Sequence, residues 1–218
     1  MARETRHPMM NISSLMRLAN YLTIARILLV PPFMLSFRYQ RILLALVVFG
    51  VAAITDYLDG RIARRQGITS FGKFMDPLAD KLLVGAALIC LTRFKGGLIP
   101  GWMVLTIIGR EFVVTGLRVV FIAAYGSVIS ATRWGKYKTS SQMTVITTSL
   151  ILLVLHEYRK SWSSYNVDFI VHPQGPIYFM MYLPLVLTVV SGVEFVYNNR
   201  KALYELMRSP DSYRDDDL

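Results

Sequence analysis

The sequence predicts an all-α, polytopic membrane protein of six transmembrane helices with an N-terminal juxtamembrane amphipathic segment. Composition is the first sign. Of 218 residues, 54% are hydrophobic and only 17% charged, too apolar a balance for a soluble domain of this length. Second, nearly uncharged runs of about 18–24 residues recur, the length a helix needs to cross a hydrocarbon core of about 30 Å. Third, turn-forming residues cluster between the runs, at "RFKGGLIPG", "AYGSVISATRWGK" and "HEYRKSWSSYNVDFIVHPQGP", where helices are expected to stop.

The elements follow in order. In "MNISSLMRLANYL", Ile12, Leu15, Met16 and Leu18 form an apolar stripe beside Arg17, a pattern suited to lying along the interface. The spans are then expected at 20–37, 42–63, 73–92, 100–125, 137–156 and 176–198. Residues 1–200 read as one transmembrane domain and 201–218 as a polar tail on the cytoplasmic side. Neither an internal repeat nor a soluble second domain is visible.

Charge gives an orientation. Arg61, Arg64, Arg65, Lys73, Arg133, Lys136 and Lys138 join the basic residues of both tails on one side, against Arg38, Arg41, Arg93, Lys95, Arg159 and Lys160 on the other. The richer side is expected to face the cytoplasm, which places both termini and the 64–72 turn there. The net charge of +10 then follows from this bias and from anionic headgroups. Its dispersal around hydrophobic spans argues against nucleic-acid binding. The first residues lack the short apolar core and small-residue site of a cleavable signal. Cys90 is the single cysteine and forms no internal disulfide. His7, His156 and His172 fall in apparent tails and loops without ligand spacing and are expected at solvated surfaces.

The chemistry-bearing stretch is "TDYLDGRIARRQGITSFGKFMDPLADKLL". Asp56 and Asp59 are three apart at the end of the second span, so they share a helix face about 4.5 Å apart along the axis. Asp76 and Asp80, four apart at the start of the third span, share another. One turn joins the two spans, which brings all four acids to one corner. Four ionised carboxylates there repel one another and lose hydration, an arrangement tolerable when cations occupy the site or some acids stay protonated. Hard divalent ions such as Mg²⁺ take carboxylate oxygens and leave positions for phosphate. Metals held this way activate phosphate esters and anhydrides. Gly60, Ala63 and Gly72 allow close approach of helices or of a bulky phosphate ligand, and Pro77 restricts Asp76.

The order Asp56, Asp59, Gly60, Ala63, Arg64, Gly72, Asp76, Asp80 resembles the signature of the CDP-alcohol phosphatidyltransferase family, D-x2-D-G-x2-A-R-x8-G-x3-D-x3-D. One departure is visible: the seven residues "RQGITSF" separate Arg64 from Gly72 where the family has eight, which alters how Gly72 registers against Ala63. "ANYLTIARILLVPP", with Asn20, Thr23 and Arg26, is similar to the first-span motif of that family's phosphatidylglycerophosphate synthases. "GREFVVTGLR" and "GKYKTSSQ" resemble the same subgroup's fourth- and fifth-span signatures.

The resemblance implies a CDP-diacylglycerol donor, an sn-glycerol 3-phosphate acceptor and a homodimer in a cell (inner) membrane. It implies two divalent cations, Mg²⁺ or Mn²⁺, on Asp56, Asp59, Asp76 and Asp80, with Asp80 also the general base. Asn20, Thr23, Arg26, Gly60, Ala63, Arg64 and Gly72 would serve the donor. For the dianionic acceptor the fixed positive charges are Arg110, Arg118, Lys136, Lys138 and Lys81. Arg118 has a competing reading as the partner of Glu111, seven residues earlier on the same helix. Lys81 has one as a snorkelling lysine, and Arg110 has no obvious acidic partner. Inositol phosphate, serine and phosphatidylglycerol are alternative acceptors. An intramembrane prenyltransferase fits less well, because its acidic motifs lie far apart in the chain. A cation carrier fits less well because "LLVGAALICL" and "LALVVFGVAAI" beyond the acids are apolar.

Overall fold

A computed structural model describes residues 12–66, 70–125, 133–162, 168–200 and 203–204, with side chains for 21–57, 78–121, 134–135, 137–159, 168–200 and 203–204. The fold is all helical, without a strand among the described residues: α1 (Ile12–Arg38), α2 (Ile42–Gln66), α3 (Ser70–Arg93), α4 (Gly101–Tyr125), α5 (Arg133–Trp162), α6 (Pro176–Met180) and α7 (Tyr182–Asn198), with single 3₁₀ turns at Phe94–Gly96 and Asp168–Val171. Around the bundle the neighbours run α1, α2, α5, α7, α4, α3 and back to α1, with α3 and α5 touching across the middle.

The interior of one half is apolar. Phe33 and Phe37 of α1 pack at 5.3 Å between ring centroids, Phe33 meets Phe49 of α2, and Phe94 sets its ring edge-on to Phe37. Leu83, Leu88 and Leu91 of α3 and Ile146, Leu150 and Leu153 of α5 complete this core. Large apolar side chains also point outward, among them Leu28, Leu44, Leu105, Val113, Leu183 and Val193. A water-soluble bundle could not bear such a coat; in lipid it is the solvated surface. Among the described residues, three stretches are long and apolar enough to cross a membrane, Tyr21–Arg38, Tyr137–Arg159 and Pro176–Asn198, and Ile42–Tyr57 is a shorter apolar one. The protein is a multi-pass membrane protein.

Several hydroxyls in these helices are satisfied locally, as a hydrocarbon environment favours. Ser36, Thr106, Thr144 and Thr147 each donate to the carbonyl four residues earlier. For Ser36 that carbonyl belongs to Pro32, in a helix that carries Pro31 and Pro32 internally, where two backbone donors are lost.

Each expected span falls on a helix, but among the described residues only three of these helices are long and apolar enough to cross a membrane, and three other expectations change. The juxtamembrane segment, from Ile12 on, is the start of α1 and not a separate element; its side chains lie outside the described residues. The sixth span carries a local irregularity at Met181, between α6 and α7, although Met181 keeps helical torsions, φ −70° and ψ −17°, and its N–H still reaches the Ile177 carbonyl. Pro184 is the cause, because its missing N–H leaves the carbonyl four residues earlier, that of Met180, without its helical donor. His156 is not at a solvated surface: it is only 2% exposed, and its Nε2 lies 3.3 Å from Asp168 Oδ1 at the far end of α5. His7 and the tail 201–218, apart from 203–204, lie outside the described residues.

Two turns depend on glycine. Gly96 and Gly97 adopt φ of 90° and 99° after Lys95 at 43°, reversing the chain into α4. At Gly175, which precedes α6, a Cβ would sit 2.4 Å from the carbonyl oxygen of Phe169. Gly175→Ala is therefore expected to destabilise the protein by about 1–3 kcal/mol through forced backbone displacement. A thermal melt in detergent with an unchanged midpoint would show that the turn relaxes freely.

Candidate active site

The polar residues of the spans gather in the other half of the bundle. Thr23 and Arg26, one turn apart on the inner face of α1, are both fully buried. The guanidinium of Arg26 lies 2.9 Å from Asp56 Oδ1 of α2. A buried cation needs such a partner, since an unpaired one would cost several kcal/mol. The carboxylate of Asp56 is 45% exposed, so one side of it faces the protein and the other an opening.

Asp80 of α3 lies within charge–charge range of Asp56, Arg26, Glu111 and Lys81. Lys81 turns inward and donates a hydrogen bond to Thr115 Oγ1 of α4, so it ties α3 to α4 and does not snorkel. Glu111 of α4 accepts from the ammonium of Lys138 of α5, and Arg110 lies 3.9 Å from the same carboxylate oxygen. The expected absence of an acid near Arg110 therefore does not hold, although that contact is long and the Nε of Arg110 is buried without a hydrogen-bond partner. Glu111 pairs with Lys138, so the Glu111–Arg118 pair considered as an alternative is not formed. Arg118 is within charge range of Lys81 and Arg110.

Asp80, Lys81, Glu111, Thr139 and Gln142 open onto a narrow cavity of about 30 Å³ between α3, α4 and α5, closed on its inner side by Val84, Leu88 and Ile107. Gln142 reaches across to Thr188 of α7 at 3.3 Å. Arg110 lies flat against α7 at Gly192, where a Cβ would come within 3.2 Å of its Cγ and Nε.

The structure thus brings together Arg26, Asp56, Asp80, Lys81, Arg110, Arg118 and Lys138, with Thr23 beside them. The side chains of Asn20, Asp59, Gly60, Ala63, Arg64, Gly72, Asp76 and Lys136 lie outside the described residues, as does the turn 67–69. Among the described residues no three metal-ligating side chains converge. Sequence reasoning did not single out Gln142, the last residue of the "GKYKTSSQ" motif, or Thr188 and Gly192, and the alternative it weighed for Glu111, a pair with Arg118, is not the one formed. The available signal was the presence of polar residues in otherwise apolar helices, which in a membrane face the bundle interior.

These features define a class: a multi-pass helical membrane protein whose interior carries carboxylates and fixed cations at one end, suited to a charged substrate. A family model, CDP-alcohol phosphatidyltransferase, matches residues 16–192, and the chain belongs to that family. It is 40% identical over 204 residues to a Bacillus subtilis (strain 168) protein named CDP-diacylglycerol--glycerol-3-phosphate 3-phosphatidyltransferase, covering 85% of this chain and 96% of that one. Proteins of the same name from Rickettsia felis and Pseudomonas fluorescens are 43% identical over 130 residues and 42% over 138, covering 58% and 59% of this chain and 70% and 69% of theirs. No solved structure matches the chain.

The Glu111–Lys138 pair generates a stability prediction. Glu111→Leu leaves a buried ammonium without its carboxylate and is expected to cost about 3 kcal/mol, most of which Lys138→Met in the same chain restores. Additive losses in the double variant, measured by thermal unfolding in detergent, would show that the two side chains are not coupled.

Proposed function

We propose that this protein transfers the phosphatidyl group from CDP-diacylglycerol to sn-glycerol 3-phosphate, giving phosphatidylglycerophosphate and CMP. The observation that carries the reading is the Asp80 carboxylate within charge range of Arg26, Lys81 and Glu111, with Arg110 and Lys138 gathered around Glu111 and Arg118 near Lys81. A base there adjoins a basic enclosure for a phosphate dianion. The names of the relatives support the same donor and acceptor.

In this reading Asp80 accepts the proton of the acceptor's 1-hydroxyl. The freed oxygen attacks the phosphorus that bears the diacylglycerol, the anhydride bond to the cytidylate breaks, and CMP departs. Arg110, Arg118, Lys81, Lys138 and Lys136 hold the acceptor's phosphate. Guanidinium forks recognise it in two directions, while the ammonium groups act as point charges. Asn20, Thr23, Arg26, Gly60, Ala63, Arg64 and Gly72 serve the donor, and Arg26 holds the Asp56 carboxylate at the opening.

Asp56, Asp59, Asp76 and Asp80 would together hold two divalent cations, Mg²⁺ or Mn²⁺. The carboxylates of Asp56 and Asp80 are hard oxygen ligands, with Asp59 and Asp76 completing the motif. Bound there, such ions neutralise the pyrophosphate and stabilise the leaving group. We further propose a homodimer in the cell (inner) membrane with this end facing the cytoplasm, the side favoured by the Lys and Arg distribution.

The deciding experiment is CMP release from CDP-diacylglycerol in detergent with Mg²⁺, offering sn-glycerol 3-phosphate, inositol phosphate, serine and phosphatidylglycerol in turn. Turnover with glycerol 3-phosphate alone is expected; turnover only with another acceptor would overturn the assignment. Asp80→Asn is expected to lower kcat by about 10²–10⁴ while retaining donor binding, and near-normal turnover would exclude it as the base. Arg110→Ala should raise KM for the acceptor far more than it lowers kcat, because a phosphate contact acts in the ground state and the transition state alike. An unchanged KM would make Arg110 purely structural.

A further inference from the structure

At the opposite end of the bundle, α1 and α3 enclose a groove of about 470 Å³, within the about 300–1,000 Å³ typical of sites for small organic ligands. Its mouth carries Arg38 at the end of α1, Arg93 at the end of α3, and Lys95 in the turn that follows. One helical turn deeper the lining becomes apolar, with Leu35 on α1 and Ile89 and Cys90 on α3. Both helices therefore show the same gradient, cations at the membrane edge and hydrocarbon beneath.

The cations at this mouth have no ion-pair partner among the described residues, and no acid lines the groove. Helix C-termini attract Arg38 and Arg93 without any ligand, but that does not account for Lys95. Lys95 lies outside both helices in a left-handed backbone conformation, φ 43° and ψ 44°, uncommon for a residue with a side chain. It is held there by the Gly96–Gly97 turn, and its ammonium lies 5.4 Å from the centroid of the Phe94 ring. The strained turn thus sets a third positive charge beside the two helix ends. Arg38 is twelve residues beyond Arg26 on α1, about 18 Å along the axis, so the groove is remote from the carboxylates.

We propose that this groove binds one anionic phospholipid, its phosphate on Arg38, Arg93 and Lys95 and an acyl chain against Leu35, Ile89 and Cys90, in the leaflet opposite the candidate active site. Charge complementarity and the polar-to-apolar order along both helices select that ligand over a zwitterionic lipid or a soluble anion. A soluble anion would leave the apolar lining unfilled. The proposal does not depend on the transfer reaction.

The test uses the full chain in detergent with equimolar phosphatidylglycerol and phosphatidylcholine of matched acyl chains, with retained lipid read by native mass spectrometry. One retained phosphatidylglycerol is expected. Each interfacial cation contributes roughly a fivefold factor toward an anionic lipid, so Arg38→Gln with Arg93→Gln is expected to reduce the preference by roughly 25-fold. Arg159→Gln, an exposed cation outside the groove, is expected to leave it intact. In the unaltered chain, phosphatidylglycerol with a photoreactive acyl chain is expected to label peptides containing 34–38 and 89–95, and inorganic phosphate in excess is expected not to displace it. Equal retention of the two lipids, an unaffected double variant, an equal loss with Arg159→Gln, displacement by phosphate, or labelling confined to the Asp56 and Asp80 region would each overturn the proposal.

Discussion

The structure depends on one constraint: a charge carried into a helix bundle within a membrane must find its partner on another helix. Water is not available to solvate it, and the cost of an unpaired ion is several kcal/mol. Arg26 meets Asp56 across α1 and α2, and Lys138 meets Glu111 across α5 and α4. Lys81 joins α3 to α4 through Thr115, and Gln142 joins α5 to α7 through Thr188. Arg110 lies along the backbone of α7 at Gly192. Three neighbouring pairs, α1–α2, α3–α4 and α5–α7, are thus tied at the same end by a polar contact, and α4 meets α7 by the close approach of Arg110 to Gly192.

The other half is held differently. The Phe33, Phe37, Phe49 and Phe94 cluster and the leucines of α3 and α5 pack by shape. Such packing is tolerant of substitution as long as volume is kept, whereas removing one partner of a buried ion pair leaves the other charge uncompensated. This division lets a rigid apolar half support a charged half whose groups must also meet a substrate. The paired contacts are therefore scaffold and site at once, and stability and chemistry compete for the same side chains.

Much of this was legible in the sequence. Span positions follow from composition and breakers, because hydrocarbon thickness sets helix length regardless of tertiary detail. The Asp56 to Asp80 motif was legible because its spacings are local to two helices and one turn. Partners between helices were not. Glu111 and Lys138 are 27 residues apart, and only the packing of α4 against the rest of the bundle decides that Lys138, and not Arg118 on the same helix, takes the carboxylate. His156 read as exposed because it lies near a span end, yet the 3₁₀ turn at Asp168–Val171 folds back and brings Asp168 to it. The irregularity at Met181 had a local cause in Pro184, but a proline near a helix start does not announce whether the helix bends or stops. Gly192 carried no signal at all, since its role is defined by a side chain some eighty residues earlier.

The charge balance at the polar end bears on why a carboxylate belongs in an enclosure proposed for a dianion. Lys81, Arg110, Arg118 and Lys138 confined together without compensation would repel one another. Glu111 offsets one of the four charges and fixes Lys138, while Arg110 is left with a long contact and a buried Nε that has no hydrogen-bond partner. The group therefore retains a surplus of positive charge, but the surplus is concentrated on arginine, whose guanidinium stays protonated and forks onto phosphate. On the proposed reading the acceptor's phosphate completes the pairing that the protein leaves unfinished. The polar end would then reach its lowest electrostatic energy only with substrate in place.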